Sequence, residues 1–305
     1  MCGIFGFINY GTEDIKGLSD LTNALAQESA IRGTDATGIA YNCSNKLNVY
    51  KQSKSAYEIN FDHTDDIRAI MGHTRHSTQG SEKKKYNNHP FFGKCGNTKF
   101  ALAHNGIISN DNILRRQFKL RKTKIETDSY IMVQMLEHKK SLDFESIKFM
   151  SEEIQGSFTY SILDDKNNLY LVKGDNPLSI IHFPKLKLYV YASTETILWK
   201  ALVESPVFPC VQKKEYEILK TNGGDILKIC SNGALEHGKF NYEDYSNISA
   251  YRWWSYATKS ESKNEYLDDL KSVGSATGYS KDDIEALYAD GFSLEEIEEF
   301  IYCGA

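Results

Sequence analysis

The chain has 305 residues, 41% apolar and 25% charged, which suits a soluble globular protein with one large domain plus an appendage. Its formal charge of -5 gives no reason to expect a nucleic-acid partner or an anionic membrane surface. No apolar run approaches the roughly 20 residues that span a bilayer, and the amino terminus lacks the basic and apolar stretches of a signal peptide, so a cytoplasmic chain is expected.

The first eight residues, Met1 to Ile8, read as a short apolar strand that starts from a cysteine. If Met1 is removed, Cys2 carries both a thiol and a free α-amine. A thiol is a strong nucleophile once deprotonated, and an α-amine of pKa about 8 accepts a proton near neutral pH. The same residue could equally be a small buried thiol near a chain end. The other five cysteines, Cys43, Cys95, Cys210, Cys230 and Cys303, are scattered without a C-x-x-C pair, so neither a zinc site nor a redox motif is indicated. His73 and His76 stand three apart in a strand-like pattern, which aims them at opposite faces. No metal and no cofactor are expected.

Apolar residues at helical spacing mark a helix from Asp14 to Ile31, which runs into the glycine-punctuated turn from Arg32 to Gly38. Strand-like segments follow at Ile39–Asn42, Leu47–Lys51 and Ile67–Arg75. The stretch from His76 to Asn88, with Lys83, Lys84 and Lys85 at its centre, has the composition of a mobile surface loop. Phe100 to Ala103 is a short strand ending at His104-Asn105-Gly106, where Asn-Gly also suits a tight turn. Helices are predicted over Asn110–Phe118, Asp128–Lys139 and Phe144–Ile154. Short alternating strands return from Ser157 to Ile229, with a helix near Thr194–Leu202. This order of strands, helices and strands predicts an α+β layered sandwich rather than a βαβ alternation.

Beyond about Lys239 the chain turns aromatic and then polar, an irregular linker over 239–278. An acidic helical hairpin is expected over 279–305. Ser280 with Asp283 and Ser293 with Glu296 read as capping boxes, each ahead of an apolar stripe. The hairpin could dock on its own domain or bind a partner.

Seven short pieces occur together in order: Cys2-Gly3-Ile4-Phe5-Gly6, Arg32 to Gly38, Gly72-His73-Thr74-Arg75, Ser77-Thr78, His89-Pro90, His104-Asn105-Gly106 and Glu126-Thr127-Asp128. Together they resemble the class II glutamine amidotransferase domain, a family of N-terminal nucleophile hydrolases, over residues 2 to about 238. The pattern is similar to the glutaminase halves of glucosamine-6-phosphate synthase and phosphoribosylpyrophosphate amidotransferase. The resemblance implies a four-layer αββα sandwich and hydrolysis of the glutamine side-chain amide to glutamate and ammonia. It implies that Cys2 attacks the amide carbon and that Asn105 (side chain) and Gly106 (backbone N–H) hold the resulting oxyanion. Arg75 would bind the substrate α-carboxylate by a forked pair of hydrogen bonds, with Thr78 beside it, and Asp128 would bind the α-ammonium. As ordinary chemistry, Arg75 could be a surface ion pair and Asp128 a helix N-cap. Arg32 and Asp35 would shape the turn beside the nucleophile, and His89 would anchor the end of a loop that closes over glutamine.

Two departures fall in that loop. His76 stands where the synthase relatives have tryptophan or tyrosine, and Gln79 where the glucosamine synthase relatives have histidine, which puts loop closure and coupling to a second site in doubt. The residues after 238 are not expected to form a sugar-isomerase or phosphoribosyl-transferase domain. The leading expectation is a stand-alone glutaminase that releases ammonia or hands it to a separate synthase subunit. An N-terminal cysteine amidohydrolase acting on another γ-glutamyl or small amide is the alternative, and a non-enzymatic binding module on the same fold the third.

Overall fold

A computed structural model describes residues 2–44, 46–64, 66–205, 207–242, 267, 270–271, 279–289 and 297. The chain divides into two compact units, Met1–Glu243 and Asp244–Ala305.

Two antiparallel sheets form the first unit. One has seven strands in the order β11 (Glu217–Leu219), β9 (Ser179–Phe183), β10 (Leu188–Ala192), β1 (Gly3–Asn9), β4 (Ala69–Arg75), β2 (Ala36–Cys43) and β3 (Lys46–Gln52). The other has six, in the order β13 (Leu235–Lys239), β12 (Asp225–Ile229), β8 (Leu169–Lys173), β7 (Gly156–Asp164), β6 (Thr98–Ile108) and β5 (Phe91–Cys95).

Side chains on a strand alternate between faces, and here both faces are apolar. On β1, Phe5 and Phe7 pack outward with α1 (Leu18–Ser29) and α5 (Glu195–Val203), through Leu21, Leu25, Leu198 and Leu202. Ile4 and Ile8 point the other way, into a layer between the sheets with Ala101, Ala103, Leu163 and Leu171. On β6, which leads into α2 (Asp111–Gln117), Phe100 and Leu102 pack outward against α3 (Tyr130–Lys139) and α4 (Phe144–Glu153), while Ala101 and Ala103 face the first sheet. Alanines at Ala40, Ala69, Ala101 and Ala103 supply little bulk to this middle layer, as close sheet-on-sheet packing requires. The result is the αββα sandwich that the family resemblance implies, and the α+β layering that the order of elements predicts.

Burying each of Phe5 and Phe7 contributes about 1.5–3 kcal/mol, so β1 is held firmly on its outer face. It is also paired on both edges, with β10 and with β4. The residue that precedes β1 is therefore delivered to a fixed place.

Several elements differ from the sequence reading. Strand β6 does not end before Asn105; it runs on to Ile108, with Asn105 opposite Thr159 and Gly106 opposite Phe158 of β7. Tertiary pairing wins here over the local turn preference of Asn-Gly. Strands β5 and β13 and the short helix α6 (Phe208–Gln212) were not apparent in the periodicity. The first unit also continues past residue 238, since Phe240 is buried against Phe158 and Tyr242 packs beside it.

In the second unit, α7 (Lys281–Ala289) opens with the expected reciprocal cap. Ser280 N donates to Asp283 Oδ2 at 2.8 Å, and Asp283 N donates to Ser280 Oγ at 3.1 Å. Ile284 and Ile297 are fully buried in a small cluster that also takes in Leu267 and Leu270. Those two lie in the segment expected to be polar linker. Tyr288, expected in the apolar stripe, is exposed. The capping box at Ser293 and the turn at Gly291 lie outside the described residues.

Candidate active site

Cys2 is half-buried at the start of β1. Its Sγ lies 3.4 Å from His76 N, which donates to it, and 3.4 Å from His76 O. Arg32 Nε donates to Cys2 O at 2.7 Å, so this arginine holds the main chain of the cysteine in place. Burial pushes the Cys2 thiol up; the His76 N–H and the Arg75 charge act against burial, and Asp128 reinforces it. Cys2 thus rests as a thiol at neutral pH, and a nucleophilic role needs a base to take its proton.

Arg75 ends β4 and is almost wholly buried. Its Nη1 donates to Asn88 Oδ1 at 2.5 Å, and its Nη2 to the carbonyls of Gln79 at 2.6 Å and Gly80 at 2.7 Å. It is therefore not a surface ion pair. Asp35 Oδ2 accepts from Ser77 N at 2.7 Å, and Asp35 N donates to Arg75 O at 3.0 Å, so the 32–38 turn fixes where the loop leaves β4. Gly33 is required for this fit, because a Cβ there would lie 2.3 Å from the Arg75 carbonyl carbon.

The loop after Arg75 starts exposed but ends in the interior. Asn87 and Asn88 have no exposed surface and His89 very little. Glu126 Oε2 accepts from Asn87 Nδ2 at 2.8 Å, and Thr127 Oγ1 donates to Asn87 O at 2.8 Å. Lys51 Nζ donates to Asn88 O at 2.6 Å and to Pro90 O at 3.0 Å, straddling the cis His89–Pro90 bond. Burial, with Arg75 adding to it, lowers the Lys51 ammonium to about 8. His89 stacks on His73, ring centroids 4.1 Å apart, and lies against Phe91. Burial holds His73 and His89 well below the ordinary histidine range, so both are neutral rings. His89 is held by ring packing, since neither of its ring nitrogens has a protein hydrogen-bond partner.

At the end of β6, the Asn105 side chain is 1% exposed, and neither its Oδ1 nor its Nδ2 has a protein hydrogen-bond partner. Gly106 has φ +142, and a Cβ there would lie 2.0 Å from Ser157 O. Only glycine meets both conditions. Asp128 is not a helix cap: its Oδ2 accepts from Ile108 N at 2.6 Å and its Oδ1 from Ser129 Oγ at 3.3 Å. Ser129 Oγ also meets His104 Nδ1 at 2.8 Å, and His104 O meets His73 Nε2 at 3.0 Å. Strands β4 and β6 are tied together immediately before Asn105 in this way.

Cys2, Arg32, Asp35, Arg75, Asn105, Gly106 and Asp128 thus gather at one end of the two sheets, with His89 behind them. Thr78 does not join them; it is exposed on the loop. Lys51, Asn88, Ser129 and Asn176 belong to the surroundings of the site and were missed. Asn176, whose Nδ2 donates to Asn105 O at 3.0 Å, offers one local signal, its position before Pro177. Among the described residues, no group of three or more His, Cys, Asp or Glu side chains could hold a metal ion, and no helix is long and apolar enough to cross a membrane.

Residues 73–199 match the glutamine amidotransferase domain family. The glutamine–fructose-6-phosphate aminotransferase (isomerizing) of Bacteroides thetaiotaomicron is 30% identical over 246 residues, covering 75% of this chain and 37% of its own. That of Bacillus thuringiensis is 31% identical over 188 residues, 59% of this chain and 30% of its own. The chain spans about a third of the length of these curated relatives. Among solved structures, glutamine phosphoribosylpyrophosphate amidotransferase from B. subtilis shares the fold with a TM-score of 0.61 at 21% identity, covering 80% of this chain and 50% of that one. Sequence and fold together show that the chain carries a glutamine amidotransferase domain of the class II, N-terminal nucleophile type.

Proposed function

We propose that this domain hydrolyses the side-chain amide of glutamine to glutamate and ammonia, with Cys2 as the nucleophile once Met1 is removed. The observation that carries the reading is the buried Asn105 amide without a protein partner, beside a Gly106 that no other residue can replace. A donor kept in the interior and left free is what a developing oxyanion needs.

In this reading the Cys2 thiol gives its proton to its own α-amine as Sγ bonds to the amide carbon. Asn105 Nδ2 and Gly106 N–H stabilise the tetrahedral oxyanion. Its collapse breaks the C–N bond, the α-ammonium returns the proton to the leaving nitrogen, and ammonia departs. Water then hydrolyses the thioester to glutamate and restores the thiol. Arg75 binds the substrate α-carboxylate, whose oxygens take the acceptor positions that the Gln79 and Gly80 carbonyls hold on its Nη2. Asp128, buried close enough to influence both Cys2 and Arg75, meets the α-ammonium. Thr78 reaches the carboxylate only if the loop moves inward. The ammonia is released or passed to a separate synthase subunit.

Ammonia release from glutamine, measured beside a panel of other γ-glutamyl and small amides, tests the proposal. Turnover specific for glutamine, absent in Cys2→Ala, is expected, with intact-mass analysis showing loss of Met1. Turnover of a different amide moves the substrate assignment, whereas Met1 retained on an active enzyme rules out the α-amine as base.

A further inference from the structure

We propose that Asn176 is the positioning residue of the oxyanion hole, aiming the Gly106 N–H by holding the carbonyl of the same peptide unit. The inference rests on the role given to Asn105 and Gly106 above and extends it to a residue outside every motif that suggested that role.

The Asn105 C=O and the Gly106 N–H belong to one peptide group. The His89–Pro90 bond is the cis bond of the described chain, so the 105–106 unit is trans and planar. In a trans unit the C=O and N–H point in opposite directions. Whatever fixes the Asn105 carbonyl therefore fixes the Gly106 N–H on the other side. Asn176 Nδ2 donates to Asn105 O at 3.0 Å, and the same nitrogen reaches Ser157 Oγ at 3.2 Å. A Cβ built on Gly106 would stand 2.9 Å from that nitrogen, so the Asn176 amide lies directly against this peptide.

Such a constraint matters most where the backbone is least constrained by its own geometry. Gly106, at φ +142, lacks the side-chain sterics that restrict other residues. Beyond Leu102, β6 also has no pairing with β5, whose register ends at Phe91 opposite Leu102. With β7 pairing this stretch on one edge only, Asn176 adds a constraint from outside the ladder, and it is itself held. Thr159 Oγ1 donates to Asn176 O at 2.6 Å and accepts from Gly174 N at 3.3 Å, while Phe158 N donates to Asp175 Oδ1 at 2.7 Å. Pro177 restricts the backbone of Asn176 to extended conformations. A hydrogen bond accepted at a peptide carbonyl also polarises the N–H at the other end of the unit, which strengthens the donor offered to an oxyanion.

The test is steady-state kinetics of Asn176→Ala and Asn176→Asp with glutamine. The aspartate keeps the shape but presents oxygens to the Asn105 carbonyl. We expect kcat to fall about 10- to 100-fold in both, less than the 10²–10³ typical of removing an oxyanion donor itself, with KM within about threefold of wild type. Alkylation of Cys2 by iodoacetamide, a displacement that forms no oxyanion, should proceed at the wild-type rate. Wild-type kcat in both variants overturns the inference. So does a parallel fall of kcat and alkylation rate with a lowered melting temperature, which would make Asn176 merely structural. A wild-type chain that releases no ammonia from glutamine overturns this inference and the glutaminase reading together, whereas an active wild type with an indifferent Asn176 overturns this one alone.

Discussion

The most discriminating perturbation compares two buried asparagines of the site, Asn105 and Asn88. Asn88 has no exposed surface; its Oδ1 accepts from the Arg75 guanidinium at 2.5 Å, and its Nδ2 donates to Glu82 O at 2.8 Å. Losing a hydrogen bond to a charged group costs about 1.5–3 kcal/mol, and a neutral one about 0.5–1.5 kcal/mol. Asn88→Ala should therefore destabilise the fold by on the order of 2–4 kcal/mol. At about 2–4 °C per kcal/mol for a domain of this size, its melting temperature should drop by roughly 4–16 °C. Asn105 is equally buried, yet its amide bonds to no protein group. Truncating it loses packing but no internal side-chain hydrogen bond, so Asn105→Ala should melt within about 4 °C of wild type. If Asn105 serves the oxyanion, its kcat should nonetheless fall about 10²–10³-fold. Differential scanning calorimetry and an ammonia-coupled assay read the two quantities. An Asn105→Ala protein that melts as low as Asn88→Ala, or that keeps kcat within about threefold of wild type, refutes the reasoning.

Because burial raises the Cys2 thiol, its alkylation by a neutral reagent, followed at the Cys2 peptide by mass spectrometry, should accelerate with a midpoint above the ordinary thiol value. Arg75 favours the thiolate and Asp128 opposes it, so Arg75→Ala should move that midpoint up and Asp128→Asn should move it down; shifts of the opposite sign would remove both from the electrostatics of the nucleophile. Arg75→Lys keeps the charge but not the fork that spans Asn88, Gln79 and Gly80. It should raise KM for glutamine at least about tenfold and speed proteolysis between residues 79 and 85; a wild-type KM would rule out Arg75 as the carboxylate ligand. Lys51 is lowered to about 8, so between pH 8 and its ordinary value of 10.5 the unfolded chain holds a proton that the folded chain has shed. This group therefore favours the fold as pH rises through that window and disfavours it as pH falls. Lys51→Met should flatten that part of the stability profile measured by urea titration, and an unchanged slope would contradict the assignment.

The layer architecture was legible wherever a strand or helix had to show an apolar face of its own. Strand β1 and helix α1 could be read because Phe5, Phe7, Leu21 and Leu25 are buried whatever they pack on. Strand β13, Leu-Glu-His-Gly-Lys, is an edge strand with exposed polar side chains, and nothing in its period distinguishes it from a loop. Polarity also misled over the loop after Arg75. Lysines 83 to 85 are exposed as expected, yet Asn87 and Asn88 are among the most buried polar residues, because Glu126, Thr127, Arg75 and Lys51 supply their partners from other elements. A sequence shows that an asparagine is polar; only the fold shows whether its hydrogen bonds are met inside.

The same distinction explains which part of the site could be found in advance. Cys2, Arg75, Asn105, Gly106 and Asp128 sit in short motifs whose order is recognisable, since each carries a chemical group that the proposed reaction uses. The residues that orient those groups carry no such mark. Ser129 and Asn176 are ordinary polar residues until the chain brings His104 and the Asn105 carbonyl to them, the latter across 71 positions. Orientation has to come from such distant partners. A donor that points at an oxyanion must leave its own strand unpaired on that side, so no ladder bond holds it from there. In the proposed reaction Gly106, without a side chain and at φ +142, presents one N–H, and the opposite end of that peptide is where a compensating hydrogen bond would fall. Asn176 occupies that end.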